Sequence, residues 1–160
     1  MNKFKEQFEY IRKQQTILDT RILNGNEYPE NKMSIALFVE LGELMNELPT
    51  YFKHWKKSAV DNKEKALEEY VDCLHFAVSL LNYNEIDINF TYNDCFPDSN
   101  PYSRDNIFTE LITIASMSGF DYSIKKLFAL GHRFGFTWNE IYEMYLKKNK
   151  INHERQNGGY

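Results

Sequence analysis

Two stretches decide the fold: Ile35-Ala36-Leu37-Phe38-Val39-Glu40-Leu41-Gly42-Glu43-Leu44-Met45-Asn46-Glu47 and Glu68-Glu69-Tyr70-Val71-Asp72-Cys73-Leu74-His75-Phe76-Ala77-Val78. Each is an almost continuous apolar run with carboxylates set into it. At roughly 100° per residue, Glu40 and Glu43 lie about 60° apart on a helix, with Glu47 between them one turn on. Glu69 and Asp72 share a face of the later stretch in the same way. There Tyr70, Leu74, Ala77 and Leu81 take one side while Phe76 and Leu80 flank the acids, the pattern of a helix buried nearly all round. A carboxylate withdrawn from water is costly unless it is paired or bound to metal, and four gathered without a cation would repel or protonate. One such pair alone is ordinary on a solvated helix face. Two pairs inside apolar runs call for a cation, and oxygen donors without a Cys/His cluster select Mg²⁺ or Mn²⁺ over Zn²⁺.

The rest of the chain reads outward from these helices. Phe4, Phe8, Ile11, Gln15, Leu18 and Ile22 advance by four and three alternately, drawing one seam over residues 3 to 23. Asn24-Gly25-Asn26 stops that helix, and the second helix runs from about 31 to 48, ending at Pro49. A joint, Tyr51-Phe52-Lys53-His54-Trp55-Lys56-Lys57, leads to Asp61-Asn62-Lys63-Glu64, which has capping-box spacing and opens a third helix to about Asn82. From Asn82 to Arg104 the chain is loop-like, and Ile86 to Phe90 carries its one strand-like alternation. Further helical patterns follow at 105 to 117 and 121 to 134. The last starts at a second capping box, Thr137-Trp138-Asn139-Glu140, and continues to about Lys150. Residues 151 to 160 are expected to be flexible. The expected class is all-α, a helical bundle with a four-helix core in one domain over residues 1–160, with a variable lobe at 82–120.

At 160 residues the chain is long enough to bury a sizeable core. Its 19 basic residues against 23 acidic ones leave a net charge of −4, so no global basic field exists to hold a nucleic-acid backbone. Two cysteines, Cys73 in a helical pattern and Cys95 in a polar loop, do not form a disulfide framework and fit a cytoplasmic protein. No stretch approaches the ~20 apolar residues of a membrane span.

Local basic clusters nevertheless stand out. Lys53, Lys56 and Lys57 surround Trp55, and Lys147, Lys148, Lys150 and Arg155 outnumber Glu154 near the end. Each has two readings: phosphate-holding groups, or, for the later cluster, cations complementing a helix C-terminus. Trp55 is a packed aromatic or a base-stacking platform. Gln15 either fixes helix register or reads a base edge, since an amide offers both donor and acceptor.

Four blocks resemble the dimeric, all-α dUTPase family, within the MazG-like group of nucleoside triphosphate pyrophosphohydrolases. They are Gln15-Thr16-Ile17-Leu18-Asp19; Glu40-Leu41-Gly42-Glu43 with Asn46-Glu47 and Phe52-Lys53-His54-Trp55; Glu69 to Phe76; and Lys148-Asn149-Lys150-Ile151-Asn152-His153-Glu154-Arg155-Gln156 with Gly159-Tyr160. The resemblance implies hydrolysis of dUTP, and of dUDP, to dUMP, with pyrophosphate released from the triphosphate. It implies that Glu40, Glu43, Glu69 and Asp72 hold Mg²⁺, with Mn²⁺ a possible substitute, and that Glu40 activates water beside Glu43 as the second catalytic acid. Gln15, Trp55 and Asn152 would form or close the uracil pocket, Lys56, Lys148 and Arg155 would hold phosphates, and His75 would lie near the sugar or base. The motif at 151–160 would fold over the bound nucleotide. A homodimer of bacterial or phage origin is implied, with a protein repressor as a further partner in the phage case. Two alternatives stay open: a related enzyme acting on dCTP or another nucleotide, and a protein-binding role.

Overall fold

The computed structural model describes residues 3–96 and 107–158. Part of the expected variable lobe, 97–106, and the Gly159-Tyr160 end of the last motif lie outside the described residues. The elements are α1 (Lys3–Leu23), α2 (Glu30–Glu47), a 3₁₀ turn (Pro49–Tyr51), α3 (Lys63–Tyr83), α4 (Tyr92–Cys95), α5 (Ile107–Ser116), α6 (Phe120–Arg133) and α7 (Trp138–Asn157). No strand occurs among the described residues.

The all-α expectation holds, and α3 is its axis. It packs against α1, α2, α6 and α7, while α1 also packs on α7 and α5 joins α2 to α6. Ala66, Tyr70, Val71, Cys73, Leu74, Ala77, Val78, Leu80 and Leu81 of α3 are all buried, as its apolar periodicity requires. Helix α6 approaches closely because it carries Gly131: a Cβ there would meet the Tyr70 ring at 2.7 Å. The Tyr70 hydroxyl, wholly buried, donates to the Leu127 carbonyl at 3.0 Å. At the outer end of the bundle Phe4 and Phe8 of α1 meet Phe90, Phe96, Phe128 and Trp138, mostly edge to face.

Several boundaries differ from the sequence expectation. Asn62, not Asp61, caps α3 by accepting from the Lys65 amide at 3.2 Å. Asp61 instead accepts from the Thr50 amide and hydroxyl at 3.0 and 2.6 Å, so its carboxylate holds the joint that follows α2. The Thr137–Glu140 capping box forms as read. The strand-like alternation of Ile86 to Phe90 comes from a half-buried irregular segment, pinned where Arg12 donates to Asn82 and to the Ile86 carbonyl. Cys95 lies in α4 rather than a polar loop and is buried, and both cysteines are free thiols.

Helix α7 does not stop near Lys150 but continues through Asn157. The Arg21 guanidinium, at the end of α1, donates to the His153 carbonyl at 3.2 Å and to the Asn157 side chain. Residues 151–157, expected as part of a mobile motif, are thus helical and tied to α1. In α2, Leu37, Leu41 and Leu44 face the core, whereas Ile35, Phe38 and Val39 are exposed despite sharing the same apolar run.

Candidate active site

Helices α1, α2, α3 and α7 enclose a cleft of about 400 Å³. The seam of α1 reaches it through Gln15, Leu18 and Ile22. Ile22, the last residue of that seam, is half-exposed and lines the cleft wall rather than the bundle interior. Tyr28, Pro29 and Met33 close one side, and Phe76 of α3 another, so this part of the cavity is largely apolar. Glu40 and Asp72 stand on its walls, as do Asn152, Arg155 and Gln156 of α7. One part of the cleft is therefore lined by apolar side chains, while another faces an acidic corner.

That corner is made by adjacent helices. Glu40 and Glu43, one turn apart on α2, and Glu69 on α3 bring one carboxylate oxygen each within 4.8 Å of the others. Burial pushes Glu40 up to about 7, reinforced by the charges of Asp72, Glu43 and Glu69. Burial raises Glu69 as well, against the pull of Lys148. Asp72 stands a little apart from this trio: its Oδ2 is paired with the Lys148 ammonium, which also reaches the Glu68 carbonyl at 3.4 Å. Burial still raises Asp72, with Lys148 opposing. Three hard oxygen donors repelling one another beside a cleft fit a divalent cation, and Asp72 becomes a fourth donor if Lys148 releases it.

The floor of the cleft is a hydrogen-bonded cluster. Gln15, buried on α1, donates through Nε2 to Asp19 Oδ1 at 2.8 Å, and its Oε1 lies 2.7 Å from His75 Nδ1. The Tyr145 hydroxyl donates to the same Oε1 at 3.0 Å, and its ring stacks on His75 with centroids 4.4 Å apart. Burial, aided by Lys148, lowers His75 to about 3, so the imidazole is neutral. Its Nε2 is buried without a partner. Both ends of the Gln15 amide are thus engaged within the protein, at a residue that lines the cavity wall.

The sequence-derived residues thus divide. Gln15, His75, Asn152, Arg155, Glu40 and Asp72 meet at the cleft, with Glu43, Glu69 and Lys148 beside it. Trp55 and Lys56 do not join the cleft walls of this chain; Trp55 is 67% exposed and packs only edgewise on Phe52 and His54. Lys147, Lys148 and Lys150 lie well inside α7, so they do not complement its C-terminus. Residues missed by sequence reasoning are Asp19, Tyr28, Ser79 and Tyr145. Asp19 carried a signal, since it lies four residues after Gln15 on one helix face.

No curated protein matches the chain. The family model described as dUTPase matches residues 7–160, nearly the whole length, and takes in both acidic helices and the α7 residues at the cleft. On that match the chain belongs to the dimeric all-α dUTPase family, whose members depend on divalent metal, and it is a dUTP diphosphatase.

Proposed function

We propose that the enzyme converts dUTP, and also dUDP, to dUMP in a Mg²⁺-dependent reaction that releases pyrophosphate from the triphosphate. The observation that carries this reading is the unpaired carboxylate trio of Glu40, Glu43 and Glu69 beside a cleft sized for a nucleoside. Glu40, Glu43, Glu69 and Asp72 would hold the metal, which supplies charge neutralisation at the phosphate oxygens. Glu40 belongs both to the acidic trio and to the cleft wall, which supports the reading that its carboxylate would orient and deprotonate the attacking water. Gln15, His75 and Asn152 would receive the base and sugar, and the apolar surfaces of Leu18 and Phe76 would cover the ring faces. Lys148 and Arg155, on the α7 face beside Asp72, would meet the phosphates. The exposed apolar residues Ile35, Phe38 and Val39 of α2, with Phe108 and Ile112 of the neighbouring α5, support a homodimer through this face.

The test is incubation of the protein with dUTP, dCTP, dTTP and UTP, with and without Mg²⁺, followed by separation of the nucleotides. Mg²⁺-dependent dUMP formation from dUTP alone is expected. Turnover of dCTP in its place would keep the acidic corner and overturn the base assignment; no turnover of any nucleotide would favour a protein-binding role.

A further inference from the structure

The hydrogen bonds around the cleft floor converge on one group that the catalytic reading leaves without a task. Asp19 is half-buried, beside Ser79 and Gln15. A carboxylate accepts and does not donate, so the Gln15 amide must turn its NH₂ toward Asp19 and its carbonyl away. Nearby, the Tyr28 hydroxyl lies 2.8 Å from Ser79 Oγ, and either hydroxyl can donate in that contact. On the far side of Gln15, Oε1 then faces His75 Nδ1, which must donate to it, and the Tyr145 hydroxyl, whose one proton lies between Oε1 at 3.0 Å and the Ile11 carbonyl at 3.2 Å. A neutral imidazole with its proton on Nδ1 has none on Nε2.

We propose that Asp19 is a positioning residue for specificity: by orienting the Gln15 amide it fixes His75 as the Nδ1–H tautomer and leaves Nε2 at the cleft as a bare acceptor. The buried, unpartnered state of Nε2 is the second observation that points to a ligand, because a buried acceptor without a donor is costly. Such an acceptor suits uracil, whose N3 carries a hydrogen, and opposes cytosine, whose N3 is itself an acceptor. The amide of Gln15 alone has no such preference; the adjacent carboxylate gives it one. This specificity claim rests on the proposed nucleotide reading, whereas the tautomer claim does not.

The experiment is a long-range ¹H–¹⁵N correlation on protein labelled at histidine nitrogens, at neutral pH, with the His75 signals assigned by their loss in His75→Asn. Burial keeps His75 uncharged there. The wild-type protein is expected to show a protonated Nδ1 and an unprotonated Nε2. Asp19→Asn, whose amide can donate as well as accept, is expected to shift the signals toward the Nε2–H form. Ser79→Ala, which disturbs the same cluster but leaves the Asp19–Gln15 contact, is expected to keep the wild-type pattern. In steady-state assays the dUTP-to-dCTP ratio of kcat/KM should fall about tenfold in Asp19→Asn, through KM more than kcat. A wild-type Nε2–H tautomer overturns the proposal without any variant, as does an unchanged tautomer in Asp19→Asn or an equal shift in Ser79→Ala. A moved tautomer with an unchanged ratio overturns the specificity claim. Absence of wild-type dUTP turnover would sink the nucleotide reading instead, and the tautomer measurement would still decide the role of Asp19.

Discussion

Two glutamates taken out of water meet opposite company. Glu110 of α5 lies against Arg133 of α6, with Oε2 at 3.0 Å from Nη1 and both side chains under 5% exposed. Glu40 of α2 sits among the acids Asp72, Glu43 and Glu69, with Lys148 of α7 as the opposing cation, and the ion pairs of the described residues leave out Glu40, Glu43 and Glu69. The two sites show how burial of a carboxylate is to be read. Where a guanidinium accompanies the acid, the pair holds two helices together. Where acids accompany acids, as at the proposed metal site, a cation arriving from outside would relieve their repulsion. Even the paired site is imperfect, since Glu110 Oε1 and Arg133 Nη2 lack partners, so it serves packing geometry more than net stability.

Neutralising one member of each site should therefore do opposite things. Glu43→Gln, at an exposed position, should lower kcat for dUTP by about 10³-fold through weakened metal holding, while unfolding midpoints stay level or rise. Turnover within a few-fold of wild type would break the contrast, because the trio would then be an ordinary acidic surface. Arg133→Met should destabilise the fold by about 3–5 kcal/mol in urea unfolding, because it strands Glu110 in the interior. The double change Arg133→Met/Glu110→Leu should recover most of that loss. If the single variant lost little, Glu110 would have to be reaching water, and the two sites would differ less than their burial indicates.

Residues 151–157 sharpen the comparison on a smaller scale. Arg21→Ala removes donors to His153 and Asn157 at the exposed end of α7, for a loss of about 1 kcal/mol in local stability. Hydrogen exchange at 151–157 should accelerate while the α3 amides remain unchanged. Equal protection in the variant would mean that α7 needs no tie to α1 there. Nothing near Lys150 hinted at this tie. Arg21 reads locally as an ordinary last-turn cation of α1, and only the long-range approach of α7 gives it another partner.

The same distinction explains what could be read from the sequence. Helix periodicity exposed α1, α2 and α3 because their buried faces repeat every turn, and the placement of Glu40, Glu43 and Glu69 followed from that repeat across two adjacent helices. The cap of α3 was misplaced by one residue because Asp61 and Asn62 are equivalent N-caps until Thr50 comes back to claim Asp61. Ile35, Phe38 and Val39 look like core in a run of apolar residues, since periodicity cannot tell a core face from an unpartnered one. The roles of Tyr28, Ser79 and Tyr145 were not legible at all. Each hydroxyl finds its partner across a turn or a helix pair, as in Tyr145 to Gln15, 130 residues away.

The last prediction turns the acidic corner into a stability measurement. Burial and like charges raise Glu40 from 4.5 to about 7 in the folded protein, and Glu69 and Asp72 move the same way. An acid whose folded value is raised binds its proton more tightly when folded, so low pH favours the fold and rising pH removes that advantage. Below about 4.5 both states hold the Glu40 proton and this carboxyl contributes no penalty; between there and about 7 the unfolded chain releases it first. Metal-free protein should accordingly lose stability as pH rises through that window, and Glu40→Gln should flatten the loss. Mg²⁺ should reverse it, because a divalent cation binds the ionised carboxylates of the folded state alone and its stabilisation grows as they deprotonate. Unfolding midpoints recorded from pH 5 to 8, with EDTA and with Mg²⁺, would check this. Parallel curves would mean that the carboxylates are hydrated well enough to ionise freely, and the contrast with Glu110 would reduce to exposure alone.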